Sequence, residues 1–180
     1  MTTEARPNRE AAKRRIMFVA GEDSYFLAYT ALLLLADLKC TTLNQAFVEP
    51  AKIAYLADFI ASASDLSLAV RPEPASDHPT RARLTLLYDR AVARRAPLER
   101  LIEAIARREL IATERSAGEV DRVYLLNHPT VAQLLTSPLY QSERQHIGKL
   151  RGLVPKVRTM TLATLKDRLF GRHGVRTWGD

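Results

Sequence analysis

Apolar residues recur along this chain with two periods, and the switch between them marks its middle. Over residues 84–106 they return every three or four positions, the spacing of a helix buried on one side; over residues 110–127 they alternate, the spacing of a strand. In LTLLYDRAVARR, residues 84–95, the stripe is Leu84, Leu87, Tyr88, Ala91 and Val92. Ala96 breaks the charge pattern, and Pro97 suits a first helical turn, where its missing N–H would be unpaired anyway. A second helix then buries Leu98, Leu101, Ile102, Ile105 and Ala106. LIATER turns β-like, and Ser116, Ala117 and Gly118 carry turn chemistry. DRVYLLN returns as a strand with Val123 and Leu125 on one face, Arg122 and Tyr124 on the other. Helix, break, helix, hairpin is the order of a winged helix. A helical hairpin packed on a β-ribbon has the same signals.

The flanks read as helices. Asp23 or Ser24 can cap one that runs to about residue 39. It is apolar nearly all round, with Tyr25, Phe26, Leu27, Tyr29 and the unbroken run Leu32, Leu33, Leu34, Leu35. Residues 41–48 read as a connector, and Pro50 opens a second helix with one stripe of Ile53, Leu56, Ala57 and Ile60 and another of Tyr55 and Phe59. Helices with more apolar surface than one stripe are central in a core or buried against a partner. On the second reading Tyr25, Tyr29, Leu33, Tyr55 and Phe59 form a partner interface. LSLAV, residues 66–70, is a candidate strand to pair with the hairpin. Residues 71–79, with three prolines, read as a linker. Beyond the hairpin, Pro129 starts a short helix, Pro138 precedes a longer one ended by Pro155, and a last helix over residues 162–170 is capped by Gly171. The expected fold is mainly α with a small β-hairpin, a winged-helix-like core flanked by N- and C-terminal helices. Its divisions are a basic tail at 1–20, a helical pair at 21–70, the core at 80–127, C-terminal helices at 128–171 and a tail at 172–180.

Composition removes several function classes. The chain has 180 residues, 47% of them hydrophobic, and one cysteine, Cys40, so neither a disulfide framework nor a cysteine-rich zinc site can form within it. No phosphate-cradling glycine loop, dinucleotide fingerprint or nucleophile elbow is present, and His78, His128, His146 and His173 lie in four separate segments. The residues therefore point to no catalytic site, metal or cofactor. No run spans a bilayer and no signal segment opens the chain, so a cytoplasmic protein is expected.

The charge is more informative. The net charge is +7, and cations crowd the stretch after Arg144. Lys149, Arg151, Lys156, Arg158 and Arg168 are candidate phosphate contacts on DNA, although a solvated face would have the same composition. The outer side of the second core helix instead mixes Glu99 and Glu103 with Arg100, Arg107 and Arg108. Glu103 is spaced to pair with Arg107 and Arg100, which neutralises the face that would enter a major groove. A DNA-reading regulator using Arg100, Arg107, Arg108 and Arg122 is thereby disfavoured against a docking role.

The order DSYFLAYTALLLLADL, PAKIAYLADFI, RRELIATER…VYLL and SPLYQSERQHIGKLRGLV resembles the small middle components of bacterial ABC-three-component defence systems, the group that includes the small Lamassu subunit. The resemblance covers roughly residues 22–170 and rests on hydrophobic patterns. It implies a non-catalytic adaptor in an anti-phage complex. The implied partners are an SMC- or Rad50-like ATPase and an effector, often a nuclease, in an assembly that senses double-stranded DNA. A free-standing winged-helix transcriptional regulator is the alternative. A toxin-neutralising or other small binding protein has the same residue signals.

Overall fold

Most of the apolar surplus of the first two helices is covered by the chain itself. The structure, a computed structural model, describes residues 23–71 and 77–177. Helix α1 is Asp23–Asp37 and α2 is Lys52–Ala61. Leu27, Leu33, Leu34 and Leu35 of α1 and Ile53, Leu56, Phe59 and Ile60 of α2 are fully buried in one continuous core. Asp23 and Ser24 both fall inside α1, so its cap lies outside the described residues.

Two local caps set up the next helices. The Ser62 hydroxyl accepts from the Asp65 N–H and starts α3, Ala63–Val70. The Asp77 carboxylate accepts from the Thr80 N–H at 2.9 Å and starts α4, His78–Arg107, with Pro79 in its first turn. Residues 66–70 are thus helical, where the sequence suggested a strand. Of the expected linker, residues 72–76 lie outside the described residues, while His78 and Pro79 belong to α4.

Helix α4 corrects a second expectation. It runs unbroken for 30 residues through Pro97, so the helix–break–helix unit of residues 84–106 does not exist. The buried stripe Leu84, Leu87, Tyr88, Ala91, Arg94, Leu98, Ile102 and Ile105 keeps one phase across the proline. The carbonyl that Pro97 leaves unbonded belongs to Ala93, which faces solvent and can be hydrated. Asp58 holds Arg94 at 2.7 Å and Asp65 holds Arg83 at 2.7 Å, which ties α4 to α2 and α3.

Strands β2, Ile111–Ser116, and β3, Glu119–Leu125, form the expected hairpin, with Ala117 at φ 51° and Gly118 at φ 88° in the turn. The third strand, β1, is Phe47–Val48, within the segment read as a connector. The antiparallel order is β1-β3-β2, with Phe47 opposite Val123 and Thr113 opposite the same residue on the other side. A register shift falls between Glu114 and Arg115.

Helices α5, Pro129–Thr136, α6, Gln141–Leu153, and α7, Leu162–Leu169, complete the chain. Helix α7 ends on Phe170 rather than on Gly171, and Gly174, at φ 76°, takes the left-handed conformation. The Phe170 ring meets Tyr55, Phe59 and Tyr88 at 6.3, 5.8 and 5.4 Å between centroids, drawing α2, α4 and the end of α7 into one aromatic cluster.

The joint between α2 and the C-terminal region is a set of hydrogen bonds from one buried charge. Lys52 is fully buried, and its ammonium donates to the carbonyls of Val157 at 2.8 Å, Arg158 at 3.3 Å and Met160 at 2.7 Å, while lying 4.4 Å from the centre of the Phe47 ring. The Val48 N–H donates to the Arg158 carbonyl, so the same segment also covers the free edge of β1. Desolvation lowers the Lys52 pKa to about 8, with Glu49 and then Cys40 opposing it.

Pro97→Ala restores a helical N–H without altering the buried stripe, so it should raise stability by about 1–3 kcal/mol in urea titration; a loss would show that the proline is needed for the path of α4. The unfolded chain holds the Lys52 proton to about pH 10.5 and the folded chain only to about pH 8, so its contribution to stability rises with pH across that window. Cys40, raised by burial from 9.0 to about 11, contributes the opposite slope higher up. From about pH 7 to about pH 9 the net slope should therefore be positive, below the one-proton limit of about 1.4 kcal/mol per unit, and Lys52→Met should flatten it.

Candidate functional site

Exposed aromatic and aliphatic surface concentrates where α1 meets the start of α6. Tyr25, one turn before Tyr29 on α1, is 75% exposed, and Leu139, in the turn that leads into α6, is 54% exposed; no other large apolar residues among those described are as open. Tyr29, one turn on from Tyr25, and Tyr140, next to Leu139 in the chain, bring their rings to 4.8 Å between centroids at a 36° tilt, and Phe26 meets Tyr29 edge-on at 5.6 Å. Burial, then Glu143, then Tyr140 push the Tyr29 phenol pKa far above its usual value, so it is a neutral hydrogen-bonding group at any physiological pH. A half-buried tyrosine pair flanked by two open apolar side chains is the composition of an interaction hot spot.

Of the five proposed interface residues, Tyr25 and Tyr29 are in this patch. Leu33, Tyr55 and Phe59 are not available to a partner: Leu33 is packed within the core of α1, and the other two rings belong to the Phe170 cluster. An all-round apolar helix does not announce who covers it, and here α4, α6 and the end of α7 do so. From the sequence Tyr140 reads only as one apolar position of the helix that follows Pro138, and Leu139 carries no signal of its own.

Beside the patch, a cavity of about 590 Å³ opens between α1, α5 and α6, lined by Asp37, Leu135, Arg144, Gly148 and Arg151 among others. Arg144 is fixed in its wall by Asp37 at 2.9 Å and by the Leu135 carbonyl at 3.0 Å.

The proposed phosphate contacts come from three places. Lys149 and Arg151 are exposed on α6, Lys156 is exposed just after it at φ 67°, and Arg168 is exposed on α7; none of the four side chains has an ion-pair or hydrogen-bond partner among the described residues. Arg158 is half-buried and donates to the Gln45 carbonyl at 3.4 Å. Other cations of the basic run are committed within the fold. Arg144 holds Asp37, Lys166 is buried, and Arg172 donates to the carbonyls of Ala69 and Arg71.

The helix–hairpin junction differs from expectation. Glu103 pairs with Arg115 of β2 at 2.8 Å rather than with Arg100 or Arg107, and Arg115 also donates to the Gly118 carbonyl at 3.1 Å. Its hydrogen bond to Arg115 and that cation's field hold the Glu103 pKa below the ordinary carboxylate range. Both residues line a cleft of about 540 Å³ whose lining also includes Glu49, Glu99 and Arg95. Sequence spacing could not reveal a pair between residues twelve apart on different elements. Arg122 leans on Glu114 at 3.5 Å and Asp121 at 3.8 Å.

Among the described residues no group of three His, Cys, Asp or Glu side chains is placed to hold a metal ion, and no helix is long and apolar enough to cross a membrane. No family model, curated protein or solved structure matches the chain.

Truncations separate the open patch from the core. Tyr25→Ala should leave the unfolding midpoint within about 0.5 kcal/mol of wild type, whereas Phe59→Ala should cost ~3–5 kcal/mol. Equal losses in a denaturant titration would mean that Tyr25 is a packing residue and not a free surface.

Proposed function

We propose that this chain is a non-catalytic adaptor subunit of an SMC- or Rad50-like ATPase anti-phage complex, bridging the ATPase to an effector such as a nuclease. The observation that carries a docking role is the Tyr25–Tyr29–Tyr140–Leu139 region, where the two most exposed large apolar residues among those described adjoin in sequence a paired set of tyrosine rings. The identity of the partners rests on the family resemblance of the sequence.

The connectivity supports a winged-helix reading built from other helices than those expected. A helix precedes β1, helices α2–α4 lie between β1 and β2, and β2 and β3 form the wing in the order β1-β3-β2. In that reading α4 is the recognition helix. Its Glu103 is locked to the wing, and carboxylates line the adjoining cleft, a poor surface for phosphate. Any DNA contact falls instead to Lys149, Arg151, Lys156 and Arg168, with the assembled complex supplying the rest. The alternative, a free-standing regulator, draws on Arg107 and Arg108, which are exposed at the end of α4.

Co-expression with a coiled-coil ATPase encoded beside this chain tests the proposal. The two should co-purify, and Tyr25→Ala combined with Leu139→Asp should reduce recovery about tenfold without changing the fold, as the loss of two hot-spot residues would. A chain that captures no ATPase, yet binds its own promoter fragment far more tightly than unrelated DNA at the same salt, would replace the adaptor reading with the regulator.

A further inference from the structure

The exposed face of α6 has no carboxylate of its own. The helix buries Glu143, Ile147 and Leu150, and Glu143, its only acidic residue, accepts from the Ser142 hydroxyl at 2.8 Å. Helical spacing puts Gln141, Gln145, Gly148 and Gly152 along the opposite crest, with Lys149 on one flank and Arg144 and Arg151 on the other; all seven are exposed. Asp37 takes up much of the Arg144 charge at 2.9 Å, while the Lys149 and Arg151 side chains have no acceptor among the described residues. The cavity of about 590 Å³ runs along the arginine flank and includes Arg151 and Gly148 in its lining. A Cβ added at Gly148 or at Gly152 would meet no atom within 4 Å. Packing among the described residues therefore explains neither glycine, although each weakens the helix relative to alanine. What the two glycines leave is open access to the helix backbone between the cationic flanks.

The chemistry of this face selects its occupant. Protein partners anchor on large apolar side chains, and the crest has none; Leu153, 36% exposed, lies off it, beyond Lys149. Single-stranded nucleic acid is held by aromatic rings on which its bases stack, and no exposed residue of α6 is aromatic. Cations and side-chain amides without a neighbouring free carboxylate match a phosphodiester backbone, to which both donate. We infer that the outer face of α6 binds duplex DNA through its backbone, the glycine crest seating one strand between Lys149 and Arg151. The inference deepens the adaptor reading, which left DNA contact to cations spread over α6, α7 and the turn between them, and it rests on that reading for the choice of DNA over duplex RNA.

Fluorescence anisotropy of a labelled duplex of about 30 base pairs, titrated with the purified full-length chain at several salt concentrations, tests the surface. Binding should weaken steeply as salt rises, and K149A/R151A should flatten the plot of log affinity against log salt by about two, one for each phosphate contact removed. R107A/R108A, at the end of α4, should leave that slope unchanged. G148A should bind within about threefold of wild type and raise the urea midpoint, because it only improves the helix. G148W should weaken binding about tenfold without lowering that midpoint, since its added side chain starts in open space. No binding at about 100 µM chain in about 50 mM salt overturns the inference, because even non-specific DNA binding is tighter than that. So does a slope that K149A/R151A leaves intact, a G148W chain that binds like wild type, or tighter binding to a single strand or to duplex RNA of the same length. The adaptor reading falls on a different measurement, capture of the ATPase. A chain that captures the ATPase but no duplex overturns only the present inference, and loss of that capture in K149A/R151A would then give the face to a protein partner.

Discussion

A buried ammonium organises the architecture. Lys52 has left water completely, and its three carbonyl partners come from the turn after α6. A charge in that position is tolerable only while those acceptors surround it. Its requirement therefore pins residues 157–160 against the start of α2, and that placement brings the Arg158 carbonyl to the edge of β1. The two-residue strand is stable because both its sides are bonded: β3 on one, this segment on the other. From there the chain enters α7 and delivers Phe170 to the aromatic cluster of α2 and α4.

The helices and hairpin were legible because their signals are local. Period in α1, α2 and α6, the Ala117–Gly118 turn and the alternation of Val123 and Leu125 all survive in the structure. The failures share a cause. Pro97 looks like a helix start only when the stripe on either side is read separately; Leu98 continues the phase of Ala91 and Arg94. LSLAV has strand-like residues, but the Ser62 cap makes it a helix. Phe47–Val48 is too short to carry a period, and only tertiary bonding makes it a strand.

The site was less legible than the fold, for the same reason. Tyr25 and Tyr29 stood out as surplus apolar surface, but so did Leu33, Tyr55 and Phe59, and the difference lies in which helices come to lie over them. The Tyr140 ring and Leu139 become part of the surface only because α6 runs beside α1. Lys52 in PAKIAYL looks like a solvent-facing lysine, and Glu103 looks like a partner for its own helix. Charge balance along α4 was readable; the actual partner, Arg115 on β2, was not.

The Lys52 bonds reach 105 to 108 residues along the chain. Contacts of that separation delay folding, because a long loop must close before they contribute. During synthesis α1, β1 and α2 emerge long before their acceptors at residues 157–160, so the nascent chain has a strand edge without its cover and a lysine without its carbonyls. The segment up to α2 is therefore poorly suited to fold ahead of residues 157–160, and the cover of the β1 edge forms only after those residues have left the ribosome.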